Sequence, residues 1–87
     1  MKMIILIAKD NDAYGLTQTL TSTEYRVTRV ASTGGFLRSG VVTLLLGVDD
    51  DRVDHVIGFI RTKLGTSASG EKRATLFVVP VERFEQV

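Results

Sequence analysis

Residues Met3 to Ala8 form an unbroken apolar run, and Val41 to Val48 contains a second, Leu44-Leu45-Leu46. Side chains alternate between faces along a strand, so a strand that is apolar at consecutive positions must be covered on both sides. This chain therefore has to build a sheet with two buried faces, and its 87 residues leave little to cover them with. A single domain of that length buries only roughly 60 to 65% of the surface its unfolded form exposes.

Two segments read as helices. Ala13 to Thr23 carries a narrow apolar stripe, Ala13, Leu16 and Leu20, with Asp10-Asn11-Asp12 ahead of it as N-cap candidates. Val53, Val56, Ile57, Ile60 and Leu64 recur on one face of a second helix, with Asp49-Asp50-Asp51 at its positive end, Arg61 and Lys63 in its last turn, and Gly65 as a left-handed stop. Tyr25 to Ala31 reads as a second strand that sets Arg26 and Thr28 on one face and Tyr25 and Val27 on the other. Ala74 to Val79 reads as a fourth, ended by Pro80 and followed by a short tail, Val81 to Val87.

The order is βαββαβ. It predicts an α+β, ferredoxin-like domain over residues 1–87, with four antiparallel strands and two helices on one face. A loop over 32–40 joins the second and third strands, and a short loop over 66–72 precedes the fourth. Two helices cover one face only, so the other is left apolar and bare in a monomer, and packing against further copies of the chain is the simplest way to cover it.

Composition removes several classes of function. The chain has no cysteine, which excludes disulfides and thiolate metal sites and favours a cytoplasmic location. Eleven basic and ten acidic side chains give a formal charge of +1, too little to attract a nucleic-acid polymer or an anionic membrane surface at long range. The first apolar run ends at Lys9-Asp10, short of an export signal, and no stretch approaches the roughly 20 apolar residues of a membrane span. His55, the single histidine, falls on the polar side of the second helix with nothing to complete a metal set. The aspartate clusters sit where helix ends account for them, and neither Ser32 nor Ser39 has a base nearby in sequence, so the chain is read as a non-enzyme that needs no cofactor.

A binding role falls on the loop. Gly34-Gly35 allows positive φ and a close backbone approach to a ligand, and consecutive amides there can cradle an anion, although paired glycines also serve as plain turn residues. Phe36 and Leu37 at the loop tip need something to cover them, either a nucleobase stacked on the ring or a neighbouring subunit. Arg26, Arg29 and Arg38 flank the loop and carry forked donors suited to phosphate, and Arg26 is preferred because it shares a strand face with the Thr28 hydroxyl.

Taken together, Tyr25-Arg26-Val27-Thr28-Arg29-Val30-Ala31-Ser32-Thr33-Gly34-Gly35-Phe36-Leu37-Arg38-Ser39-Gly40, then Gly47-Val48, Arg52-Val53, Phe77-Val78-Val79-Pro80-Val81, Phe84 and Gln86, resemble the PII-like cyclic di-AMP receptors of bacterial signalling. The resemblance implies a homotrimer of ferredoxin-like subunits that binds the dinucleotide in clefts between neighbours and signals to a downstream protein. It also implies the ligand contacts. Arg26 and Thr28 would come from the second strand, Gly34, Gly35, Phe36 and Leu37 from the loop, Val41 and Gly47 from the third strand, Phe77 from the fourth, and Gln86 from the tail.

This chain departs from the family in three places. Val41 stands where the family commonly has an asparagine, and valine offers no hydrogen bond to a base edge. Glu24 stands where a polar amide is frequent, and the usual long loop before the fourth strand is reduced to 66–72. The departures suggest a second reading, a PII-like trimer that has lost its nucleotide and serves as an interaction module. An acylphosphatase-like activity on the same fold is disfavoured, because Lys9 to Ala13 lacks the arginine loop it needs.

Overall fold

The computed structural model describes residues 1–23, 25–30, 40–65 and 73–87. Glu24, residues 31–39 with Gly34, Gly35, Phe36 and Leu37, and the short loop 66–72 lie outside the described residues. The described chain runs β1 (Lys2–Lys9), α1 (Asp10–Ser22), β2 (Val27–Val30), β3 (Val41–Val48), a 3-10 turn (Asp50–Arg52), α2 (Val53–Leu64) and β4 (Ala74–Pro80). The strands form one sheet in the order β2-β3-β1-β4, with every neighbouring pair antiparallel. That is the ferredoxin-like α+β arrangement.

The two apolar runs occupy the two central strands. Ile4, Leu6 and Ala8 of β1 and Val42, Leu44, Leu46 and Val48 of β3 point to the helix side, where Ala13, Leu16 and Leu20 of α1 and Val56 and Ile60 of α2 close over them. All are buried, and each large one contributes about 1.5 to 3 kcal/mol by leaving water. On the opposite face Met3, Ile5, Ile7, Val41 and Leu45 are only half-buried, and Phe77 at 52% exposure and Val30 at 40% lie open at its margins.

Element ends differ from the sequence reading in instructive ways. Asp10 and Asp12 do not cap α1 from outside: the helix starts at Asp10 behind Lys9 with no side-chain cap, and both carboxylates lie in its first turn. Arginines distant in sequence hold them there. Asp10 pairs with Arg29, while Arg73 donates to Asp12 Oδ1 at 2.7 Å and to the Leu64 carbonyl at 2.8 Å. Arg29 accordingly belongs to the helix side of the sheet. The Asp10 N–H also donates to the Gly40 carbonyl at 2.7 Å.

The far end of α1 lacks a terminal glycine. Its last carbonyls are satisfied instead by the N–H groups of Thr23 and Tyr25 and by the Thr23 hydroxyl, 3.0 to 3.3 Å from the oxygens of Thr19 and Leu20. Asp49 and Asp50 likewise make no side-chain cap, because a 3-10 turn precedes α2, and Asp50 instead pairs with the Met1 ammonium group at 2.8 Å. Gly65 does leave α2 with φ +68°, but its ψ of −168° places it in the extended basin open to glycine alone rather than in the left-handed helical one. Pro80 is the last residue of β4, an edge strand, where its missing N–H costs no ladder bond.

Candidate functional site

The site is built on the sheet face turned away from the helices. β2 and β3 pair with Val27 opposite Leu46 and Thr28 opposite Leu45, and continuing that register by one residue sets Arg26 beside Gly47. Gly47 also pairs with Met3 of β1, which in turn faces Val79 of β4. With no side chain at Gly47, the sheet floor is low at this point.

The C-terminal tail raises a wall over that floor. After Pro80 the Val81 N–H donates to the Met1 carbonyl at 3.1 Å, and the chain continues without regular structure to Val87. Arg83, Phe84 and Gln86 of the tail, Arg26 and Thr28 of the β2 segment, and Met3, Leu45 and Gly47 of the floor enclose an open cleft of about 1180 Å³. Among the described residues Arg26 has no ion-pair partner. The cleft thus offers a guanidinium, a hydroxyl and an amide above an apolar floor, a combination suited to an anion that carries a flat apolar group.

Met1, Tyr25 and Gly47 also line a smaller hollow of about 330 Å³ that touches Thr23, Asp49 and Arg52. Arg52 donates through Nη2 and Nε to the Tyr25 hydroxyl at 3.1 and 3.3 Å, and this contact holds the guanidinium above its already high pKa. On the same side the Met1 ammonium holds the Asp50 carboxyl below its ordinary value, chiefly through their hydrogen bond.

Of the residues singled out from the sequence, Arg26, Thr28, Gly47 and Gln86 line the cleft. Gly34, Gly35, Phe36 and Leu37 lie outside the described residues. Val41 and Phe77 are on the same sheet face but away from the cleft. Val41 is six positions from Gly47 along β3, about 20 Å at strand spacing. Phe77 closes the cross-strand row Thr28–Leu45–Ile5–Phe77, about 14 Å from Thr28. Within one chain Val41 and Gly47 are too far apart to touch the same base, while Phe77 lies on the cross-strand row of Leu45, a cleft residue. The sequence reading did not single out Tyr25, Met3 or Arg83. Met3 enters through its pairing with Gly47 and Tyr25 through its place ahead of β2, whereas the place of Arg83 depends on how the tail folds back, which no local pattern encodes. Among the described residues no group of three or more His, Cys, Asp or Glu side chains is placed to hold a metal ion, and no helix is long and apolar enough to cross a membrane.

Fold and face together define a ferredoxin-like binding domain with a polar-rimmed cleft on the open side of its sheet. The family model for the cyclic-di-AMP receptor matches residues 1–70. The chain belongs to that family, a family of receptors rather than of enzymes. The chain is also similar to a solved structure, a functionally unknown protein from Pediococcus pentosaceus ATCC 25745. The two are 32% identical with a TM-score of 0.76, over 99% of this chain and 96% of that one. The family match takes in β1 to α2 and stops before β4 and the tail, so Phe77, Arg83 and Gln86 lie beyond it.

Proposed function

We propose that this chain is a non-catalytic receptor that binds cyclic di-AMP in the cleft beneath its tail, in a homotrimer whose neighbouring subunits complete each cleft. The observation that carries the reading is the convergence of Arg26, Thr28, Gly47 and Gln86, from three separate segments, on one cleft. Arg26 meets a phosphate, Thr28 and Gln86 supply polar contacts to sugar or base, and Gly47 leaves room for a base to lie on the sheet.

Two further features support association with neighbouring copies, as the homotrimer reading requires. The open face carries exposed Phe77 and Val30, which a neighbour would cover. Val41 also stands about 20 Å from Gly47 along β3, which suits a ligand held between two chains. Occupancy is passed to a downstream protein partner in the cytoplasm.

Calorimetry with cyclic di-AMP, alongside sedimentation, tests this reading. The expected result is saturable heat with one nucleotide per chain, from a particle three times the 9.5 kDa mass of one chain. No heat at about 100 μM ligand from a folded trimer removes the nucleotide and leaves the second reading, an interaction module. Val41 favours that reading, because valine can accept or donate nothing to a base. Val41→Asn then distinguishes the two: recovered binding traces the loss to this one position.

A further inference from the structure

The cleft has two guanidinium groups, and only one comes from the sheet. Arg26 reaches it from the β2 segment and Arg83 from the tail, so a ligand lying across the floor passes between them. One carboxylate, Glu82, shares the lining. Arg26 and Arg83 are the cationic groups of this lining, and Arg83 is itself paired with Glu85, so its charge becomes available to a ligand only as that pair opens.

Arg83 is held by a contact that is easily exchanged. Its Nε, at 2.9 Å, and its Nη2 both donate to the same oxygen, Glu85 Oε1. A guanidinium edge matches an acceptor with two oxygens, one for each N–H, and here both donors converge on one. Both side chains are largely in water, Arg83 at 80% and Glu85 at 55% exposure, and an exposed pair of this kind shifts an equilibrium by less than about fivefold. A phosphodiester presents two free oxygens to the same edge, so it can take both donors in place of the single Glu85 oxygen.

We infer that Arg83 is a second phosphate-binding residue of this cleft: with Arg26 it takes the two negative charges of a dinucleotide, and Glu85 is the internal carboxylate that the incoming phosphate displaces. The inference rests on the reading of the cleft as a dinucleotide site. It adds to that reading a residue beyond the stretch the family model matches. It also gives the tail a charge-based role besides that of covering the ligand.

Titration of the full chain with cyclic di-AMP at low and high salt, as wild type, Arg83→Gln and Glu85→Gln, tests it. Arg83→Gln should weaken binding about tenfold and reduce its salt dependence, since one of two ionic contacts is gone. Glu85→Gln should tighten binding two- to threefold, roughly the competition an exposed pair exerts. Wild-type affinity and salt dependence in Arg83→Gln overturn the inference and leave the proposed function standing. No binding by the wild type overturns both, so the two failures are distinct.

Discussion

Gly47 offers a way to separate the cleft from the fold. It lies in extended backbone inside β3, where glycine weakens a strand by about 0.5 to 1 kcal/mol relative to alanine. A methyl group added there meets one close atom, Met1 Cε at 3.0 Å, the free end of a flexible side chain that can swing aside. Gly47→Ala should therefore be neutral or stabilising by about 0.5 kcal/mol, which raises Tm by about 2 to 4 °C in a domain of this size. The same methyl rises from the cleft floor beneath Arg26, and Gly47→Val adds two more carbons there. Binding should fall about tenfold for alanine and a hundredfold or more for valine, about 1.4 and 2.7 kcal/mol. Urea unfolding and nucleotide titration on the same samples give both quantities. Two results would refute the reasoning. A loss of more than about 1 kcal/mol of stability in Gly47→Ala means that the space above Gly47 is not free. Undiminished binding in Gly47→Val means that the ligand does not use this floor.

Other perturbations address the framework. Leu44→Ala, at a fully buried position in a central strand, should cost about 3 to 4 kcal/mol by urea denaturation with an unchanged m value; a cost under about 1 would contradict the core described here. Arg73→Ala removes the donor to both Asp12 and the Leu64 carbonyl, and should destabilise by about 1 to 2 kcal/mol, whereas Arg61→Ala, exposed on α2, should change little. The Asp50 carboxyl is held below its ordinary value by the Met1 ammonium, so its contribution is present above the unfolded pKa and is lost as pH falls through the lowered folded one. Thermal melts of Asp50→Asn and wild type should differ near pH 6 and converge toward pH 2. A constant difference would rule the pair out as its source.

The parts of this protein that can be read from its sequence are those whose signal is local. β3 and α2 have the extents expected of them, because the apolar run between Gly40 and Asp49 in one and the three-four spacing of Val53, Val56, Ile57, Ile60 and Leu64 in the other lie inside the element. The start of α1 departs from its local pattern for the opposite reason. Asp10 and Asp12 resemble caps locally, but their partners are Arg29 and Arg73, which a window of a few residues cannot reveal. The cleft divides along the same line. Arg26 and Thr28 follow from the two-residue period of β2, and Gln86 came only with the family resemblance. Arg83 emerged once the tail was seen to turn back at Met1.

The first turn of α1 has a consequence for how variants of this chain are interpreted. Asp10 grips Arg29 and Gly40, which flank residues 31–39, and two positions later Asp12 grips Arg73, which follows residues 66–72 and itself holds Leu64 ahead of them. Described residues near the ends of two stretches far apart in sequence thus meet on a single helical turn. Asp10→Asn loosens Arg29 but keeps the backbone bond to Gly40, whereas Asp12→Asn loosens Arg73, so the two aspartates separate effects that one displaced turn would merge.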